Sequence, residues 1–324
     1  MLFRSIGCDI HHVVFENDAN IIACATTTGF SLFDASNSQN ISTCRIQSMP
    51  HGTRLISTLG NSNIVAITAN TESSQSVQIW DITSNAELMS INFNESVWGV
   101  RLRPDILVTA TSKKIFVNDL VDSSEIISFN TAFNKDGIFD IPSVFSSSLL
   151  AYPSPDIGVV TICNYLDSSY PSLNVHAFKT PISFIKFSDN GRLLAVAGDD
   201  GKNIIVYSVP SMKQIAYLKR GANGSKIISM SFEPHGTQLA VASANGNINV
   251  FFIAWVDKNS EQDPKVAKSI KIKESENHSS WIYFSSKTLK LCGVTTTGQT
   301  FRVVFDEQMK QATLDFSTNP LNIK

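Results

Sequence analysis

Polar and apolar residues alternate along much of this chain, and the stretches in which they do so are short. Before Phe232 the apolar positions are Ile228, Met230 and Phe232, with Ser229 and Ser231 between them. Successive side chains of a strand point to opposite faces, so the alternation predicts a β-strand with one buried face. Convincing helical periodicity is absent from the sequence.

A longer repeat orders these strands. Phe187 precedes Gly201 by fourteen positions, and the same interval separates Phe15 from Gly29, Phe232 from Gly246 and Phe284 from Gly298. Each interval holds a polar turn and then a small apolar run, such as Leu194-Ala195-Val196-Ala197 or Leu239-Ala240-Val241-Ala242. A second β-rich run follows each Gly, as in Ile204-Ile205-Val206-Tyr207. From Phe187 to Phe232 is one full period of 45 residues. That length fits four strands per unit, the period of a propeller blade. The run Ser76 to Asp81 supplies the Trp80-Asp81 dipeptide of a WD repeat. The expected fold is all-β: one seven-bladed β-propeller of four-stranded antiparallel blades, filling residues 1–324 as a single domain. Its units fall near residues 9–47, 52–93, 96–131, 137–177, 181–219, 226–273 and 279–317, with the third and fourth degenerate. Closing the ring removes sheet edges that would invite aggregation. Linkers are short and polar, for example Thr71 to Gln75, and the longest irregular stretch is Asp257 to Val266.

Composition narrows the function. The chain is 43% hydrophobic and 17% charged, with a net charge of −2. No overall basic excess draws it to nucleic acid, so any anion binding must be local. The first residues lack the apolar core of a signal peptide. The longest apolar run, Val250 to Val256, is far short of the ~20 residues that span a bilayer. Five cysteines, Cys8, Cys24, Cys44, Cys163 and Cys292, are scattered and odd in number. They suggest neither a disulfide framework nor a zinc site, and a reducing cytosolic compartment is expected.

Catalytic constellations are weak. Cys8-x-x-His11-His12 resembles a metal cluster only superficially, because adjacent histidines on a strand diverge and no second pair is spaced to complete it. Asp199-Asp200-Gly201 and Asp189-Asn190-Gly191 read as hairpin turns. Gly221 to Ser225 lacks the Lys-Ser/Thr ending of a phosphate loop and reads as a connection between blades. Trp80 and Trp281 read as packing residues. No enzyme, metal or cofactor is expected.

One stretch stands apart. Tyr217-Leu218-Lys219-Arg220-Gly221 puts two cations side by side, followed by a residue that permits a sharp turn. On a strand the two point to opposite faces, which suits two anion sites better than one. Leu218-Lys219-Arg220-Gly221 resembles the Leu/Phe-Arg-Arg-Gly signature of the PROPPIN family, the WIPI-type β-propellers of autophagy. The resemblance extends to Trp80-Asp81 in the second unit, Leu149 to Pro153 in the fourth, and the tract from Lys179-Thr180-Pro181 through Phe251.

The resemblance implies binding of phosphatidylinositol 3-phosphate or the 3,5-bisphosphate in two pockets flanking the fifth and sixth blades. It implies Arg220 as the main phosphate ligand, with Ser243, Asn247 and Asn249 in support and Lys219, Lys202 and Thr180 contributing. An arginine fork grips phosphate in a way lysine cannot, and the first signature arginine is Lys219 here. Gly198, Lys202 and Ile205 stand where the family's fifth-blade pocket has Ser, Thr and a basic residue, Phe178 stands for its His, and Asp199 and Asp200 lie alongside. The family's membrane-inserting loop corresponds to a short charged run, Asp257 to Lys265. The implied protein is a monomeric scaffold, cytoplasmic and peripheral to preautophagosomal, endosomal or vacuolar membranes. Its implied partners include the rod-shaped lipid-transfer protein of autophagy. The rival reading is a propeller that has lost lipid recognition and serves only as a protein-interaction platform.

Overall fold

The computed structural model describes residues 9–16, 21–34, 42–60, 62–167, 169–209, 211–253, 266–273, 279–285, 289–306 and 311–316, with backbone alone for Glu16, Asp34, 42–47 and 266–273. The chain is a seven-bladed β-propeller. Blades 1, 2, 3, 5, 6 and 7 span residues 10–48, 53–92, 97–130, 182–219, 227–273 and 280–316, each a four-stranded meander paired in chain order. Blade 4 has three strands, Leu149–Pro153, Val159–Asn164 and Leu173–His176. An isolated bridge from Asp140 to Ala151 stands in for its missing strand. Blade 3, expected to be degenerate, is regular. Thr71 to Gln75 joins two strands within blade 2 rather than linking blades, and 257–265 lie outside the described residues.

By contacts the chain divides into two compact units, one of residues 1–128, 294–301 and 316–324, the other of 129–293 and 302–315. In each, the core lies between neighbouring blades. Within the first unit, Ala23, Phe30, Leu32, Ile56 and Ile67 pack blade 1 on blade 2, and Val77, Ile79, Val97, Leu102 and Leu107 pack blade 2 on blade 3. Within the second, Ile162, Phe187, Val196 and Ile205 fill the space between blades 4 and 5. Val206, Leu218, Met230, Phe232 and Phe251 do the same between blades 5 and 6. Each of these side chains larger than alanine contributes ~1.5–3 kcal/mol when fully buried.

The alternation on the first strand of a blade records something other than a solvated face. Ser229 and Ser231 are buried along with Met230 and Phe232. Their hydroxyls accept the backbone N–H groups of Ile282 at 3.2 Å and Phe284 at 3.0 Å, on the first strand of blade 7. The device recurs elsewhere. Ser57 accepts from Leu102 N–H at 2.9 Å, Asp140 from Phe187 N–H at 2.7 Å, and His12 Nδ1 from Ile56 N–H at 3.4 Å. An inner strand leaves one row of N–H groups unpaired by its own sheet, and a buried N–H needs a partner. A polar side chain from the preceding blade supplies it.

Candidate anion-binding site

Blade 5 presents the expected cations. Its third and fourth strands, Asn203–Ser208 and Lys213–Lys219, pair so that Asn203 lies opposite Lys219. Lys219 is exposed and Arg220, the next residue, is half-buried, so the two diverge as expected. Arg220 N–H donates to Lys202 O at 2.8 Å and fixes where the chain leaves the strand.

The Arg220 guanidinium is already engaged. Nη1 donates to the carbonyls of Gly201 and, at 3.0 Å, Ser225, while Nη2 donates to Ser243 Oγ. Among the described residues Nε has no partner. The side chain thus ties the Asp199-Gly201 turn of blade 5 to the 221–226 connector and to blade 6. Among the described residues no carboxylate forms an ion pair with it. Burial lowers its pKa and the nearby Asp200 carboxylate opposes that shift. Two glycines allow the approach. Gly201 has φ +58°, and a Cβ there would overlap the Ser225 carbonyl. A Cβ on Gly224 would overlap the Asp200 carbonyl.

Ser243 ends the second strand of blade 6, Gln238–Ser243, and is 1% exposed. Its oxygen accepts from Arg220, so its proton is free to point elsewhere. Asn247 is half-buried and Asn249 buried, both on the paired strand Asn247–Ile253. Lys202 is exposed, its N–H donating to Asp200 Oδ1 at 3.0 Å. The structure therefore brings Arg220, Ser243 and the Lys202 backbone together. The carbonyls on Arg220 carried no sequence signal, because backbone groups are the same at every position.

Thr180 lies on the other side of blade 5, beside Gly198 and Phe178. A Cβ on Gly198 would stand 2.9 Å from Thr180 Oγ1 and 3.2 Å from the Phe178 ring. Phe178 is partly buried and packs against the core between blades 4 and 5 that holds Ile182, Ile185 and Ile205. The missing side chain at position 198 and the large ring at 178 fit each other, with the Thr180 hydroxyl alongside.

No cluster of three or more His, Cys, Asp or Glu able to hold a metal occurs among the described residues. Cys8 lies outside them. His11 is exposed while His12 is turned inward on Ile56 N–H. Asp189-Asn190-Gly191 and Asp199-Asp200-Gly201 are turns, with Gly191 at φ +69°. Trp80 packs on the core between blades 1 and 2. No helix among the described residues is long and apolar enough to cross a membrane.

Known proteins resemble the chain over most of its length. A family model described as PROPPIN matches residues 9–311. Autophagy-related protein 18 of Mycosarcoma maydis is 26% identical over 267 residues, 74% of this chain and 58% of that protein, so the chain spans under two thirds of that relative. Kluyveromyces lactis Hsv2 superposes with a TM-score of 0.79 at 19% identity, over 97% of this chain and 99% of its own. A complex of KlAtg21 with the coiled-coil of AgAtg16 matches with a TM-score of 0.77 at 18% identity, over 95% and 98% of the two chains.

Proposed function

Because the chain belongs to the PROPPIN family, we propose that it is a non-enzymatic scaffold. It links a membrane carrying phosphatidylinositol 3-phosphate or the 3,5-bisphosphate to autophagy proteins. The observation that supports the reading is the Arg220 guanidinium. It sits at the junction of blades 5 and 6, held against Ser243 and two carbonyls, with the exposed cations Lys202 and Lys219 beside it. A phosphate entering there replaces the Ser225 carbonyl on Nη1 and takes the free proton of Ser243, while Asn247 and Asn249 donate from the adjoining strand. Because Ser243 is 1% exposed, the 221–226 connector must lift off Gly201 as the headgroup enters. The exchange is favourable because a charge-assisted bond to phosphate is stronger than one to a neutral carbonyl. The protein is peripheral to the membrane and cytoplasmic, and its protein partners include a coiled coil such as the one bound by KlAtg21, or the rod-shaped lipid-transfer protein of autophagy.

Liposome flotation tests the assignment, with 3-phosphoinositide vesicles against phosphatidylinositol controls. The wild type is expected to float with the former, and Arg220→Ala to lose this. Lys202→Ala with Lys219→Ala, which removes exposed charge without touching the braces on the connector, is expected to weaken binding several-fold. Equal flotation of wild type and Arg220→Ala removes Arg220 as ligand.

A second reading, a protein-interaction platform without lipid recognition, draws support from Phe178 over Gly198 and from the occupied guanidinium. Capture of the coiled-coil partner by a chain that floats with no phosphoinositide would establish it.

A further inference from the structure

Two exposed apolar side chains stand at one end of blade 4. Phe133 is 71% exposed and Ile157 is 68% exposed. Phe133 lies in the connector entering blade 4, and Ile157 in the turn after its strand Leu149–Pro153. Hydrogen bonds place them at the same end of that blade. Thr131 Oγ1 and Ala132 N–H donate to Pro153 O at 2.6 and 3.3 Å, where the 154–158 turn begins. At the end of that turn, Ala177 and Phe178 N–H donate to Gly158 O at 2.9 and 3.1 Å.

The same end continues into blade 5. Asp199 N–H donates to Pro181 O at 2.9 Å, and Arg220 N–H to Lys202 O at 2.8 Å. Lys226 and Asp136 form an ion pair at 2.7 Å between the connector leaving blade 5 and the one entering blade 4. Phe133 and Ile157 therefore share one end of neighbouring blades with Arg220.

The charge at this end opposes that of the whole chain. Its turns and connectors carry Lys135, Lys179, Lys202, Lys219, Arg220 and Lys226 against Asp136, Asp156, Asp199 and Asp200, whereas the chain is net −2. The Lys135 ammonium lies 5.5 Å from the centroid of the Phe133 ring. An exposed aromatic with a cation over its face suits the boundary of an anionic bilayer, where the ring enters among the acyl chains and the amine stays with the headgroups.

We propose that Phe133 and Ile157 form a membrane-docking wedge, entering an anionic lipid surface while Lys135 and Lys179 bind its headgroups. This rests on the reading that Arg220 addresses a phosphoinositide. It deepens that reading by giving the protein a second hold on the same membrane. Two weak holds reinforce each other because the first raises the effective concentration of the second.

The test uses the full chain and vesicles of phosphatidylcholine with phosphatidylserine, with and without phosphatidylinositol 3-phosphate. Phe133→Ala with Ile157→Ser is expected to weaken vesicle binding about tenfold while the melting temperature stays at the wild-type value, since both side chains are exposed. In Phe133→Trp, acyl-brominated lipid is expected to quench emission beyond the quenching seen in wild type. Binding of the double variant at wild-type strength, with no added quenching in Phe133→Trp, overturns the wedge. If Arg220→Ala still abolishes flotation in that case, the phosphoinositide reading survives. Loss of a protein partner by the double variant with vesicle binding intact also overturns the wedge and assigns the patch to protein docking. A wild type that floats with neither vesicle overturns both.

Discussion

Phe178 and Gly198 should behave as a coupled pair. Gly198 lies in the strand Leu193–Gly198 without a positive φ, so alanine there suffers no backbone strain. Glycine inside a strand costs ~0.5–1 kcal/mol relative to alanine, so on backbone grounds alone Gly198→Ala should stabilise. The new methyl, however, meets the Phe178 ring at 3.2 and 3.3 Å and Thr180 Oγ1 at 2.9 Å. Thr180 can rotate away, but the partly buried ring is packed against the core between blades 4 and 5. Overpacking of this kind costs ~1–3 kcal/mol. The single variant is thus expected to be destabilised by ~0.5–2 kcal/mol, the overpacking cost less the backbone gain. With Phe178→Ala in the background the clash is gone, and Gly198→Ala should stabilise by ~0.5 kcal/mol or more. The double-mutant cycle then gives a coupling of ~1–3 kcal/mol, the overpacking cost itself, well above the ~0.3–0.5 kcal/mol scatter of independent sites. Melting temperature reads the sign change at about 2 °C per kcal/mol in a chain of this size. Additive effects in the cycle, or a stabilising Gly198→Ala in the wild-type background, would show that Phe178 does not fill this site.

Two further predictions concern the bonds between blades. Asp140 is 2% exposed, accepts from Phe187 N–H, and pairs with Lys186 at 3.3 Å. Asp140→Ala leaves that buried N–H without an acceptor and the ammonium without its partner, and should cost ~3–4 kcal/mol in chemical denaturation; Asp140→Asn, which keeps an acceptor, should cost less. His12 is held neutral, its pKa pushed down to about 4 chiefly by burial, with Arg101 adding to the effect. The unfolded chain therefore binds a proton there before the folded one does. Its contribution is complete above the ordinary value of 6.5 and is lost as pH falls from there to about 4, a change of ~3 kcal/mol. Denaturation midpoints across that window should flatten in His12→Gln, and an unchanged slope would exclude His12 as the titrating group.

The blades were legible in the order of residues because their cause is local. A turn needs a glycine at positive φ, a strand needs period two, and the fourteen-residue spacing from Phe187 to Gly201 records both. The cation pair was legible too, since two charges in a charge-poor tract stand out without any fold. What lies next to them was not. Arg220 is held largely by backbone carbonyls, and Ala132-Phe133 is a two-residue apolar step between Thr131 and Asn134, a pattern that carries no warning of exposure. The polar residues of the inner strands misled for a physical reason. A serine that faces water and a serine that accepts an N–H from the next blade have the same place in an alternating pattern. Sequence sets which side of a strand is polar; only the packing of one blade on another decides whether that side meets solvent or the unpaired amides of a neighbour.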